Sequence, residues 1–337
     1  MIETTVFMTV IVLILALSFD FINGFHDTAN AIATSISTKA LPPRIAILMA
    51  SAMNLLGALT FTGVAQTIGS KIADPFRLEN GLYIVIAALI AAIIWNLLTW
   101  YYGVPSSSSH ALIGALTGAV VTSAGFSAVN MKGFISILEA LILSPILAFI
   151  VGYIIMSLIK ILFRNAHPSK INRRFRTLQV FTAAWQAFSH GTNDAQKSMG
   201  IITFALIAGG LHQTMDIPTW VKFSCALAMA LGTSVGGWRI IKTVGTKIIK
   251  IEPSNGFAAD LTSAMVILGA TLLKMPVSTT HVISSSIMGV GTAKRFHEVK
   301  WGTAQRIVTA WLITLPITFI LAMVFYLIID VLRRTLG

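Results

Sequence analysis

The chain has 337 residues, of which 55% are hydrophobic and only 11% are charged. Soluble domains carry about 25% charged residues, so this composition excludes a water-soluble globule. The 24 lysines and arginines outnumber the 12 acidic residues and give a formal net charge of +12, but they lie in short segments between apolar stretches. That placement is typical of loops beside anionic headgroups, so we expect contacts with membrane lipids and no nucleic-acid partner.

Long stretches without Asp, Glu, Lys or Arg recur along the chain. They cover residues 4–19, 45–70, 80–131, 140–159, 198–215, 223–238, 275–293 and 307–329. A spanning helix needs about 20 mostly apolar residues, so the pattern predicts an all-α polytopic membrane protein. The first segment starts without a basic residue, and we expect a retained helix whose N-terminus lies outside. Cys225 lies in an apolar stretch and is expected to be a packed helix residue.

Residues 24–38 place a polar cluster, GFHDTANAIATSIST, directly after the first apolar stretch. An aspartate within a membrane segment costs about 2.5–3.5 kcal/mol on insertion scales, so Asp27 is a functional candidate. We expect His26, Asp27 and Asn30 to interrupt a helix at a depth where ions must lose their water. Asp20 and Asp260, in contrast, suit helix ends that reach interfacial water.

The next polar segment, VPSSSSHALIGALTG at 104–118, combines a helix breaker with a run of serines. Pro105 ends an incoming helix, and the serines stand where N-caps belong. About fifteen residues follow before Gly125, which favours a re-entrant hairpin over a full crossing. The helix N-terminus and hydroxyls would suit a small oxyanion, although capping alone would also explain the serines. His110 could serve a site or bond a carbonyl.

A basic block, KILFRNAHPSKINRRFR at 160–176, contains six lysines and arginines and no acid. We expect it to be cytoplasmic. It divides the chain into a first transmembrane repeat (1–162), a basic cytoplasmic linker (163–176) and a second transmembrane repeat (177–337).

The second half repeats both polar segments in the same order. FSHGTNDAQKS at 188–198 resembles FINGFHDTANA at 21–31, with Asp194 aligned to Asp27. MPVSTTHVISSSIMG at 275–289 resembles the serine segment, with His281 aligned to His110. Two ordered pairs at nearly equal offsets indicate an internal duplication. Duplicated membrane proteins often bind substrate between the repeats through broken helices.

The duplicated segments suggest two kinds of ligand. Asp27 and Asp194, with Asn30 and Asn193, offer the hard oxygen ligands that Na⁺ or protons use in transporters. Lys197 stands in the place of Asn30 and could alternatively face the cytoplasm. The charges alone do not decide whether the repeats are inverted, because the number of crossings in each half depends on the path of residues 28–38.

Four of these segments resemble the signatures of the PiT family of inorganic phosphate transporters. They are GFHDTANA, SHGTNDAQKSMG, PSSSSHALIGALTG and PVSTTH, and the resemblance runs over essentially the whole chain. The family carries a duplicated motif written G-A-N-D-x-A-N-A. This chain departs from it at His26, where Asn is usual, and at Gln196 and Lys197, which replace the second Asn-Ala, as in bacterial low-affinity phosphate permeases.

The resemblance implies a fold of two inverted repeats with broken helices and re-entrant hairpins, commonly assembled as a homodimer. It implies symport of inorganic phosphate with Na⁺ or H⁺, with no further cofactor and no enzymatic activity. Asp27 and Asp194, with Asn30 and Asn193, would serve the coupling ion, including Na⁺ at the two aspartates, and the asparagines would also contact substrate. The phosphate site would be lined by Ser106, Ser107, Ser108, Ser109, Ser278, Thr279 and Thr280. Further candidates are His26, His110, His281, Gln196 and Lys197.

We therefore predict a multi-pass importer of inorganic phosphate in the cytoplasmic membrane. A sulfate or metal–phosphate carrier of the same fold is the alternative, and His26 in place of Asn leaves the coupling ion open. A channel would also use hydroxyl-lined hairpins. Duplication argues against an intramembrane enzyme, and the chain has no Gly-Lys dipeptide and hence no Walker A loop for ATP.

Overall fold

The computed structural model describes residues 2–74, 78 and 80–336, apart from the side chains of 2–4, 168 and 336. The elements over this part of the chain are helices. In chain order they are α1 (Ile2–Ser37), α2 (Pro43–Ala58), α3 (Gly63–Lys71), α4 (Gly81–Tyr102), α5 (Ser108–Ala124), α6 (Met131–Leu162), α7 (Pro168–Ala208), α8 (Thr219–Val235), α9 (Trp238–Thr246), α10 (Pro253–Leu272), α11 (Thr279–Lys294) and α12 (Trp301–Leu336).

Among the described residues, five helices are long and apolar enough to cross a membrane: α1, α4, α6, α10 and α12. Two further pairs, α2–α3 and α8–α9, bend by 68° and 72° at short breaks, and they raise the number to seven if each pair is one span. The predicted polytopic, all-α architecture with broken helices is confirmed.

The break expected within residues 24–38 is absent, because α1 runs without interruption through Asp27, and α7 runs equally through Asp194. That part of the prediction was wrong. A single glycine costs a helix only about 1 kcal/mol relative to alanine. Here Gly24 lies directly against the backbone of α8, so its missing side chain serves helix packing and not a bend.

The two halves have the same order of elements: α1–α6 is followed by α7–α12, and a short 3₁₀ turn precedes both α6 and α12. The equivalent helices α1 and α7 run antiparallel, because residues of increasing number in α1 contact residues of decreasing number in α7. The contacting pairs are Asp20–Ser198, Asn23–Asp194 and Thr38–Gln179. The repeats are therefore inverted.

Each half contains a re-entrant hairpin that begins where a helix stops. Gly103 ends α4 in the left-handed conformation with φ of 64°, and α5 starts five residues later. With 17 and 16 residues, α5 and α11 fall short of the about 30 Å hydrocarbon thickness at 1.5 Å per residue.

The hairpins pack across the repeats: α5 lies against α12, and α11 lies against α6. Matching glycines make these contacts close. A Cβ at Gly118 would collide with the Phe319 carbonyl oxygen, and one at Gly289 would collide with the Phe149 carbonyl oxygen. The two larger apolar cores among the described residues form around this arrangement, one including α4 and α5 and the other including α9, α10 and α11.

The basic block between the repeats is partly helical. The loop proper covers residues 163–167, and α7 begins at position 168 with proline, a residue type that is favoured in the first turn of a helix. The basic side chains from Lys170 to Arg176 therefore lie on the first turns of α7.

Candidate functional site

The two duplicated aspartates meet at the interface of the inverted repeats. Asp27 on α1, Asp194 on α7 and His190 each offer one ligand atom, and these atoms all lie within 4.8 Å of one another. The N-terminal ends of α5 and α11 reach the same place. There the Ser109 hydroxyl donates to the Val277 carbonyl oxygen at 2.8 Å and ties one hairpin to the other.

Asp27 accepts hydrogen bonds from its own helix and from both hairpins. The Nδ1 of His26 lies 2.6 Å from Oδ1, which also accepts from the Thr280 hydroxyl at 3.3 Å. The Ser108 hydroxyl donates to Oδ2 at 3.3 Å. Asp27 is 1% exposed, so a carboxylate at this depth depends on these donors for its stability.

Asp194 has a different partner, the ammonium group of Lys197. Nζ donates to Oδ1 at 2.7 Å, and both side chains are fully buried. Oδ2 accepts from the Thr279 hydroxyl at 3.2 Å and from the Asn23 amide at 3.3 Å. Lys197 also lies 3.5 Å from the Ser108 hydroxyl. The alternative of a lysine facing the cytoplasm is therefore wrong.

Asn30 joins the site from α1. Its amide donates to the Thr280 hydroxyl at 2.9 Å and lies 3.5 Å from the Thr279 hydroxyl. Its Oδ1 is buried and has no hydrogen-bond donor in the part of the chain that the structure describes. A bare amide oxygen of this kind is a suitable ligand for a hard cation.

Asn193 lies beside the site and braces the second hairpin. Its amide donates to the Thr271 hydroxyl at 3.0 Å and the Met275 carbonyl at 3.1 Å, and its oxygen accepts from the Val277 N–H at 3.2 Å. His26 is its counterpart in the first repeat.

His26 makes the matching contacts in the first hairpin. Its Nε2 lies 3.2 Å from the Thr99 hydroxyl and 3.4 Å from that of Ser106. The Ser106 hydroxyl in turn donates to Thr99 at 2.7 Å. His26 therefore contacts the first hairpin as well as Asp27.

Two of the predicted phosphate-site serines act as N-caps. The Ser107 hydroxyl accepts from the His110 N–H at 3.1 Å, and the Ser278 hydroxyl accepts from the His281 N–H at 3.3 Å. Gln196 also holds a helix start, because its Oε1 accepts from two backbone N–H groups at the beginning of α3. Some hydroxyls at the hairpin tips therefore cap helices. Those of Ser108, Thr279 and Thr280 instead donate to the aspartates.

His110 and His281 contact each other, with ring centroids 4.5 Å apart. His281 also stacks on Trp311 at 3.9 Å, and the Trp311 indole donates to the Pro105 carbonyl at 3.2 Å. Both histidines line an apolar cavity of about 620 Å³ whose other walls come from α6, α11 and α12. Their packing contacts therefore lead away from the aspartates.

The sequence prediction did not select His190 or Asn23. His190 Nε2 lies 3.5 Å from Asp194 Oδ2, and its Nδ1 lies 3.0 Å from the Asn54 amide oxygen. Both residues precede a site aspartate by four positions, which is one helical turn. That spacing was the available signal.

Asp20 and Asp260 are both fully buried, so their predicted placement in interfacial water was wrong. Asp20 accepts from the Ser198 hydroxyl at 2.6 Å. Asp260 accepts from the Thr34 hydroxyl at 2.6 Å and the Gln179 amide at 3.2 Å. These donors lie on other helices and stabilise the carboxyl groups inside the bundle.

The whole site is enclosed. Its residues on α1 and α7 and at both hairpin tips are at most 9% exposed. A small ion that binds here must therefore enter through a rearrangement of the helices around it.

Comparison with known proteins gives consistent matches. The family described as "Phosphate transporter family" matches residues 23–174 and 164–322. A Bacillus subtilis protein described as a probable low-affinity inorganic phosphate transporter is 61% identical over 96% of this chain and 97% of its own length. A Rhizobium meliloti protein with the same description is 43% identical over 94% of each chain. A solved structure, "The sodium-dependent phosphate transporter", is similar with a TM-score of 0.86 and 25% identity, over 96% of this chain and 99% of that one.

Proposed function

The chain belongs to the phosphate transporter family, and from this we propose that it is a symporter that imports inorganic phosphate with Na⁺ or H⁺. The observation that carries the proposal is the enclosed meeting of two helix N-termini with two buried carboxylates between inverted repeats. One half of this arrangement suits an oxyanion and the other suits a cation.

We assign phosphate binding to the hairpin tips. The first turns of α5 and α11 present N–H groups and the positive ends of two helix dipoles. Ser108, Thr279 and Thr280 add hydroxyls that donate to the aspartates in the closed site. When phosphate enters, the same hydroxyls rotate to donate to its oxygens.

Cations are required by the charges at the site. With the histidines neutral, two carboxylates and Lys197 sum to −1, and a phosphate dianion brings the total to −3. Each positive charge moved inward gains about 2.3 kcal/mol per 100 mV. A dianion therefore needs at least three cations if the membrane potential is to drive its uptake.

Asp27 is the place where a coupling cation fits. Its carboxylate lies among the hydroxyls of Ser108 and Thr280, and the free Oδ1 of Asn30 belongs to the next helical turn. Oxygen ligands of these types suit Na⁺, and the sodium-dependent protein of similar fold supports this choice. The His26 imidazole beside Asp27 supports a proton.

The inverted repeats support transport by alternating access in the cytoplasmic membrane. Because α1 and α7 are antiparallel, an outside N-terminus is compatible with a cytoplasmic basic segment at the start of α7. Opening to either side would separate one hairpin from the helix of the other repeat against which it packs. We also propose a homodimer.

A metal–phosphate carrier is the second candidate. Asp27, His190 and Asp194 offer two carboxylate oxygens and one imidazole nitrogen within 4.8 Å. Such a set could bind a divalent cation that enters together with phosphate and lowers the charge of the anion.

The test is uptake of radiolabelled phosphate into proteoliposomes with an imposed Na⁺ gradient, an imposed proton gradient, or neither. We expect gradient-driven uptake that is lost in Asp27→Asn and retained in Asp216→Asn, which changes an exposed loop carboxylate. Absence of uptake by folded wild-type protein under every gradient would contradict the proposal. Uptake that requires added Mg²⁺ or Ca²⁺ would favour the metal–phosphate carrier.

A further inference from the structure

Among the differences between the two repeats at the site, one changes the charge. Asn30 and Lys197 are equivalent positions of the two repeats, and each points from its own repeat to the hairpin of the other. Asn30 donates to the hydroxyls of the second hairpin, and Lys197 contacts Ser108 of the first. One half therefore carries a neutral amide where the other half carries a lysine ammonium group paired with Asp194.

Lys197 is held deep in the protein. Its side chain is among the largest that are fully buried, and Nζ lies 2.7 Å from Asp194 Oδ1. The other oxygen, Oδ2, accepts from Thr279 and Asn23. Both oxygens of Asp194 are therefore already bound to donors, and one of these donors carries the positive charge that a coupling ion would bring.

We propose that Lys197 is a tethered counter-cation that takes the place of a coupling Na⁺ at Asp194. This inference rests on the proposed function, because it concerns which cations accompany phosphate. The positive charge of an ammonium group repels Na⁺, and because the group has three donors and no acceptor it supplies Na⁺ with no ligand. It also stays with the protein when the substrate leaves, so its charge is not transported.

The equivalent aspartates of the two repeats then have different roles. Asp27, whose hydrogen-bonding neighbours among the described residues are the His26 imidazole and two hydroxyls and include no lysine, keeps a mobile cation, whereas Asp194 has its charge balanced by Lys197. This transporter then moves one cation fewer per phosphate than a site with asparagine at both positions. Lys197→Asn restores that symmetry and leaves carboxylate, amide and hydroxyl oxygens around the vacated position.

The first test compares wild type, Lys197→Asn and Lys197→Arg in proteoliposomes, with current and phosphate uptake measured together. In Lys197→Asn we expect the net charge moved per phosphate to rise by one and the Hill coefficient for Na⁺ to increase. Lys197→Arg keeps the fixed charge and should keep the wild-type ratio of net charge moved to phosphate taken up. In Lys197→Asn, an unchanged net charge per phosphate together with a higher phosphate concentration for half-maximal uptake would overturn the inference, because Lys197 would then be a phosphate ligand.

The second test does not need transport. Thermal unfolding of the purified proteins is compared in NaCl and in choline chloride of equal concentration. Na⁺ should raise the melting temperature of Lys197→Asn more than that of wild type, and Asp194→Asn in the same variant should remove the difference. An equal response to Na⁺, or a Lys197→Asn protein that Na⁺ cannot keep folded, would overturn the inference. Failure of wild type to take up phosphate would refute the proposed function and leave this comparison of Na⁺ binding decisive.

Discussion

The pair formed by Asp194 and Lys197 allows a quantitative prediction about stability. At 2.7 Å and an effective dielectric constant of about 20, two unit charges attract by about 6 kcal/mol, and this attraction offsets the loss of hydration on burial. Removing one partner leaves the other charge buried and uncompensated, which costs about 3–5 kcal/mol. We expect that cost in Lys197→Met and in Asp194→Asn.

The double variant separates this effect from general damage. It contains neither charge, so its free energy of unfolding should fall by much less than the sum of the two single losses. The measurement is unfolding in mixed detergent and SDS micelles, in sodium-free buffer so that Na⁺ cannot replace the lysine. As a control, the same set of two single variants and one double variant is made at Lys294 and Glu298. Their side chains are about a quarter exposed and 3.3 Å apart.

For this control pair we expect a coupling energy below about 1 kcal/mol. Additive losses at Asp194 and Lys197, without coupling above the control, would refute the reasoning, because the two charges would then not stabilise each other inside the protein.

Three further contacts around the site are tested by the same unfolding measurement. Gly118→Ala forces a methyl group into a backbone carbonyl of α12 and should cost about 1–3 kcal/mol, whereas Gly269→Ala in open space should gain about 0.5–1 kcal/mol; equal effects would contradict the close contact. Ser278→Ala removes the N-cap of α11 and should cost about 0.5–2 kcal/mol, and recovery in Ser278→Thr would confirm the hydroxyl as the cause. Thr34→Val removes the 2.6 Å donor to Asp260 and should cost about 1–3 kcal/mol, while a neutral result would mean that the carboxyl finds another donor.

The features that the sequence predicted correctly depend on local composition. Stretches without charges identify helices that must avoid water, and Gly103 with Pro105 ends α4 before a serine-capped helix. Two repeated segments indicate the duplication without any knowledge of packing. These signals act within a few residues of one another, so they can be recognised in the sequence without knowledge of the tertiary structure.

The sequence was misleading where a residue's environment comes from a distant part of the chain. The polar cluster of the first motif suggested a break at His26, Asp27 and Asn30, but α1 stays helical there, and Gly24 packs against α8, which belongs to the other repeat. Asp20 and Asp260 looked suited to interfacial water because their donors, Ser198, Thr34 and Gln179, are far away in sequence.

By itself, the sequence determined that this is a duplicated helical membrane protein with two aspartates and two hydroxyl-rich hairpins, because charge depletion, helix breakers and repeats are local properties. Only the tertiary structure decided that α1 and α7 are antiparallel, that Lys197 neutralises Asp194, and that Asn193 braces a hairpin. The physical reason is burial: hydrogen bonds and ion pairs inside a bundle join side chains from different helices, and their geometry exists only after those helices have packed.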